Sequence, residues 1–172
     1  DYKFLKSKNG TTGLLLGARC TSGANFLIKK QTVIDSFFKR IGVSREFETG
    51  DASFDGACYL ATDCAELHQV LTVQPKLRTA IKVILGFSGG GFTAKEIYCR
   101  NGRVWIKFDI DAYGINNEVN FIVRKLGHPL SSIVNAMVDL QKTGVRWRDY
   151  KLIHSPILSQ NIKLPAWLER FS

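Results

Sequence analysis

What this chain lacks narrows its function more than what it contains. Its 172 residues include four cysteines, three histidines and a single methionine. Cys20, Cys58, Cys64 and Cys99 form no C-x-x-C pair, so the spacing expected of a structural zinc site is missing. The chain is also too long and too poor in cysteine to need disulfides for stability, so buried free thiols are the expectation. His68, His128 and His154 lie far apart in sequence. Neither G-x-S-x-G nor H-E-x-x-H occurs, which removes the common hydrolase and metalloprotease signatures. No cofactor motif is present, and none is expected to be bound. The glycines of Gly86–Gly91 follow a helical pattern and lack Gly-Lys-Ser/Thr, the wrong order and chemistry for a phosphate-binding loop. No apolar run approaches the roughly 18 residues of a membrane-spanning helix. With Asp1 in place of an initiator Met and no signal peptide, the chain reads as a fragment or processed form with something preceding it.

Charge is plentiful but unevenly placed. The net charge is +9 and the pI about 9.5. Yet residues 46–75 hold six acidic residues and no Lys or Arg. Basic segments flank this block, so the acidic groups are expected to pair with their neighbours. The remaining excess suits an anionic partner, either nucleic acid or a membrane surface.

The apolar pattern predicts an α+β fold, a single domain with a hairpin-containing antiparallel sheet packed against several helices. Leu14–Arg19 and Asn25–Ile28 read as strands, with Thr21-Ser22-Gly23 as the turn between them. Val33, Ile34, Phe37, Phe38 and Ile41 fall at helical spacing after Thr32, with Gly42 as terminator. Cys58–Ala61 reads as a strand. Asp63 with Glu66 suggests a helix start, and Pro75 suits the first turn of another helix that Gly86 closes. Ser88–Gly91 reads as a flexible connector. Asn101-Gly102 between Phe92–Cys99 and Val104–Ile110 is the favoured type I′ hairpin dipeptide, because both positions must accept positive φ. Asn116 or Asn117 would cap a helix carrying Val119, Ile122 and Leu126. Gly127-His128-Pro129 would break it, and Ser131–Lys142 would resume. Residues 1–142 are thus expected to form the domain, and 143–172 a C-terminal arm rich in aromatic and basic residues.

Three groups are candidates for chemistry. Glu48, Asp51 and Asp55 cluster in sequence and could hold a divalent cation or divide acid and base roles, as in a metal-dependent hydrolase. Thr49-Gly50-Asp51 has turn composition, however, and its carboxylates more readily bond local amides, with Phe47 and Phe54 anchoring the turn. Cys64 and His68 stand four apart on a predicted helix, the spacing of a thiol–imidazole contact or of chance. Arg146, Trp147, Arg148, Tyr150 and Lys151 could stack on bases or sit among lipid headgroups, or pack on their own domain.

The run Phe47-Glu48-Thr49-Gly50-Asp51-Ala52-Ser53-Phe54-Asp55 resembles an aromatic-x-Thr-x-Asp-x-x-Phe-Asp core found in a family of bacterial membrane-associated proteins of unknown activity. Tyr59, Asp63 and Val70-Leu71-Thr72-Val73-Gln74-Pro75 match the strand, helix and Leu-Leu-Thr-Pro-like step that follow that core, with the proline displaced. The resemblance covers roughly residues 26–110. It implies an α+β domain attached to the membrane through segments outside this chain, and it carries over no catalytic residue. Together with the charge, it leads to a binding or scaffold domain on the cytoplasmic side, with anionic lipid or a protein as partner. The alternative is a nucleic-acid-binding domain.

Overall fold

The computed structural model describes residues 1–8, 10–30, 49–62, 64–110 and 119–142. The helix read over 32–41, Phe47, Glu48, Asp63, Asn116, Asn117 and the arm from 143 onward lie outside the described residues. Within them runs a seven-stranded antiparallel sheet: β1 (Tyr2–Ser7), β2 (Gly10–Arg19), β3 (Phe26–Lys30), β4 (Cys58–Thr62), β5 (Ser88–Gly89), β6 (Phe92–Arg100) and β7 (Arg103–Ile110). The spatial order is β1-β2-β7-β6-β3-β4, with the short β5 beside β6. The helices are α1 (Ala52–Asp55), α2 (Ala65–Val73), α3 (Pro75–Gly86) and α4 (Val119–Lys142). This is the α+β architecture the sequence predicts.

The hairpin of β6 and β7 is the centre of the sheet. Asn101 (φ 51°) and Gly102 (φ 69°) adopt the left-handed conformation that a type I′ turn requires. Along β7, Val104, Ile106 and Phe108 are buried, while Trp105, Lys107 and Asp109 face the other way. Strand β6 cannot keep this rhythm unaided, because its apolar residues change parity from Phe92 and Ala94 to Ile97 and Cys99. A bulge between Ala94 and Glu96 absorbs the odd residue and keeps all four on the core face. That face also carries Leu14, Leu16, Phe26 and Ile28. Helices α3 and α4 cover it with Leu77, Ile81, Ile84, Ile122, Leu126 and Ile133.

Several expectations need correction. Strands β2 and β3 are not a hairpin, since β7 and β6 lie between them. Residues 20–25 instead cross the end of the central hairpin, where the Cys20 amide donates to the Gly102 carbonyl at 2.8 Å. Ser88–Gly91 is no loose connector. Gly90 (φ 60°) and Gly91 (φ 75°) make a second tight turn, so β5 folds back on β6 with Ser88 opposite Thr93. Gly86 does close α3, as its last residue, with the extended Phe87 as cap. The start of α2 lies at Cys64, whose thiol accepts from the Leu67 amide. Nor does α4 break at Gly127–Pro129. Pro129 deprives the Lys125 carbonyl of an amide partner, which costs about 3 kcal/mol in a helix interior. Against this, Ile122, Leu126, Leu130, Ile133, Met137 and Leu140 form one buried stripe through the proline. Each such side chain contributes about 1.5–3 kcal/mol on burial, so continuity prevails. Strand β1, unread in the sequence, is an edge strand whose Tyr2 is 60% exposed and whose Phe4 packs on the core.

Candidate functional site

The acidic run is a structural turn around the four-residue α1. Asp55 Oδ1 accepts from the Thr49 amide (2.9 Å) and the Thr49 hydroxyl (2.8 Å), and Oδ2 accepts from the Gly50 amide (3.1 Å). Asp51 caps α1 by accepting from the Ser53 and Phe54 amides, both at 3.1 Å. Its other oxygen meets Arg78 Nε at 3.1 Å. The Phe54 amide, and Arg78 after it, hold the Asp51 carboxyl below the ordinary range of an aspartate. Arg78 also donates to the Leu71 and Thr72 carbonyls at the end of α2, so one guanidinium ties the turn, α2 and α3 together. Lys82 adds a bond to the Ser53 hydroxyl at 3.0 Å. The buried Phe54 is the anchor below. Both carboxylates therefore serve local donors, and Asp51 also a cation from the neighbouring basic segment, which is the geometry of a fastened turn. No group of three or more His, Cys, Asp or Glu placed to hold a metal occurs among the described residues.

All four cysteines are buried free thiols. Burial pushes Cys58 up to about 11 and Cys64 up to about 12. Cys64 Sγ accepts from the Leu67 amide at 3.3 Å and approaches Glu66 Oε2 at 3.5 Å. It is a helix cap rather than a nucleophile activated by His68, itself depressed by burial. Cys20 and Cys99 are different. Their sulfurs lie 3.6 Å apart, and the hydrogen bond from Cys99 lowers the Cys20 thiol to about 7 against the opposing effect of burial.

The outer face of the sheet, opposite the helices, carries the charge. Strand register aligns four cross-strand rows on it, beginning with Ser88, Thr93, Asp109, Gly13 and Leu5. The second row is Tyr59, Lys29, Glu96, Lys107, Leu15 and Lys3. In it Glu96, only 3% exposed, lies between Lys29 at 3.0 Å and Lys107 at 3.2 Å. Its Oε1 is at ion-pair distance from Lys107 but makes no hydrogen bond. The next row is Leu27, Tyr98, Trp105 and Gly17. Gly17 is required there, because a Cβ would come 2.3 Å from the Trp105 ring. Burial, with the nearby Glu96 charge, raises Tyr98 to about 12. The last row is Arg19, Arg103 and Arg100, directly opposite one another across β2, β7 and β6. Arg103 stacks over Trp105 at 5.8 Å and pairs with Asp1 at 3.1 Å. Like charges placed opposite each other in a sheet destabilise it by about 0.2–1 kcal/mol. The middle of this face is closed to solvent, with Leu15, Glu96 and Tyr98 buried, and its open end is the arginine row, where Arg19 is exposed.

Of the residues singled out in the sequence, Asp51 and Asp55 belong to the turn, while Glu48, Arg146, Trp147, Arg148, Tyr150 and Lys151 lie outside the described residues. The outer sheet face escaped the sequence reading. Its signal is the alternation Arg103-Val104-Trp105-Ile106-Lys107, which sets basic and aromatic residues on one side, although only strand order reveals that Arg19 and Arg100 join them. Compared with known proteins, the chain matches no family model, no curated protein and no solved structure.

Proposed function

We propose that this domain is a binding module, not a catalyst, which lays the arginine end of its outer sheet face against anionic lipid headgroups on the cytoplasmic side of a bacterial membrane. The row Arg19–Arg103–Arg100 beside Trp105 carries this reading. Arg19, the exposed member of this row, can meet an anionic headgroup, and a tryptophan edge suits the apolar–polar boundary. The net charge of +9 and the resemblance to membrane-associated proteins point the same way, with attachment supplied by segments outside this chain. Each basic residue near an anionic surface contributes about 1 kcal/mol. The triple variant R19A/R100A/R103A is therefore expected to bind phosphatidylglycerol-containing vesicles on the order of 100-fold more weakly in co-sedimentation. Equal binding of the variant and the wild type, or equal binding to neutral vesicles, would reject the reading.

Arg103 over Trp105 also favours a second reading, a stacking surface for single-stranded nucleic acid. A low-salt mobility shift with an oligonucleotide, lost in the same variant and falling steeply with salt, would replace the lipid surface as partner.

A further inference from the structure

We propose that Cys20 and Cys99 form a redox site that small peroxides close to a disulfide. Their sulfurs stand 3.6 Å apart although 79 residues separate them in the chain. A disulfide needs about 2.05 Å. Both backbones are held in place at the end of the central hairpin. Cys99 is paired on both sides, with Phe26 and Val104, and the Cys20 amide is bonded to the Gly102 carbonyl. The two segments approach closely here, since a Cβ on Gly102 would come 3.0 Å from the Cys20 carbonyl. Beyond Cys20 the buried Ser22 hydroxyl accepts from the Ala24 amide at 3.1 Å and fixes the crossing loop. Side-chain rotation is the motion left to close the gap.

The four thiols are not equivalent. Cys58 and Cys64 are held protonated by burial, while Cys20, with Cys99 donating to its sulfur, reaches the thiolate near neutral pH. Cys20 is 6% exposed, which favours an oxidant as small as hydrogen peroxide. The Cys20 thiolate attacks one peroxide oxygen, the O–O bond breaks, and the departing hydroxide takes up a proton as water. The resulting sulfenic acid is attacked at sulfur by Cys99. The S–O bond breaks, and the oxygen leaves as a second water with the Cys99 proton. Two thiols lose two electrons in total, and one peroxide is reduced to two waters. This site lies on the core side of the sheet and does not depend on the anion-binding reading.

The test is stoichiometric hydrogen peroxide on the whole, reduced chain, followed by alkylation in denaturant and peptide mapping by mass spectrometry. The expected first product has lost two hydrogens, carries a Cys20–Cys99 cross-link, keeps Cys58 and Cys64 alkylatable and reverts with dithiothreitol. C58S/C64S should behave identically, and C20S should lose the cross-link. The long loop closed by the bond should raise Tm by about 5–10 °C. Four alkylatable thiols after treatment, a first cross-link through Cys58 or Cys64, or sulfinic acid on Cys20 without a cross-link would each overturn the proposal. Because the wild type alone distinguishes these outcomes, a variant that fails to fold does not weaken the test.

Discussion

Asp55 shows how a residue that looks catalytic can be consumed by its own backbone. Three donors, the Thr49 amide, the Thr49 hydroxyl and the Gly50 amide, converge on its carboxylate. Asp51 meanwhile spends one oxygen on the cap and the other on Arg78. D55A would leave the Thr49 donors without their acceptor, at about 1–3 kcal/mol for groups removed from water. Urea denaturation is expected to show that loss as a lower midpoint with an unchanged slope. D55N, which keeps one carbonyl oxygen, should lose less. If D55A unfolds with the wild-type midpoint, the turn is not what this carboxylate is for. The turn composition Thr-Gly-Asp and the aromatic anchor at Phe54 were legible in the sequence, because Asx-type bonding is local. The clasp by Arg78 was legible only as charge contrast, since 27 residues separate it from Asp51 and only the packing of α3 closes that distance.

Helix α4 and strand β6 show the same division at the scale of elements. The hairpin at Asn101-Gly102 was readable because two residues decide it. The parity change between Ala94 and Ile97 is visible once the bulge is known, but in the sequence it also suits a strand that simply ends. Breaks are the harder case, because glycine and proline report local cost and not the burial that outweighs it. By itself Pro129 predicts an interruption, yet the stripe from Ile122 to Leu140 carries the helix through. It follows that Pro129 is tolerated rather than required. P129A would give the Lys125 carbonyl an amide partner and remove the ring's contact with the preceding turn. It is expected to stabilise the domain by up to about 3 kcal/mol, read as a higher urea midpoint. A destabilised P129A would mean that a bend at this point is needed to seat α4 on the sheet. Nothing as local as a dipeptide announced the outer face, because the meeting of Arg19, Arg103 and Arg100 is a property of strand order alone.

For the whole molecule, buried ionisable groups make stability depend on pH in opposite directions. Cys20 is lowered from 9.0 to about 7 in the fold. Between those values the native state has released the proton that the unfolded chain still holds, so stability rises with pH from about 7 to 9. Cys58 and Cys64 are raised from 9.0 to about 11 and about 12, and Tyr98 from 10.0 to about 12. Above pH 9 the unfolded chain ionises first and the sign reverses, so stability falls. On the acid side His68, lowered by burial, and Asp51, lowered by its cap, both act to reduce stability as pH falls. Under reducing conditions the urea midpoint is therefore expected to climb from neutral pH to a maximum near pH 9 and then decline. C20S should abolish the climb and leave the alkaline decline intact, because Cys58, Cys64 and Tyr98 are untouched. A wild-type midpoint that is flat or falling between pH 7 and 9 would mean that Cys20 is held as a thiol in the fold. The 3.6 Å contact with Cys99 would then be packing between two neutral groups rather than a hydrogen bond to a thiolate.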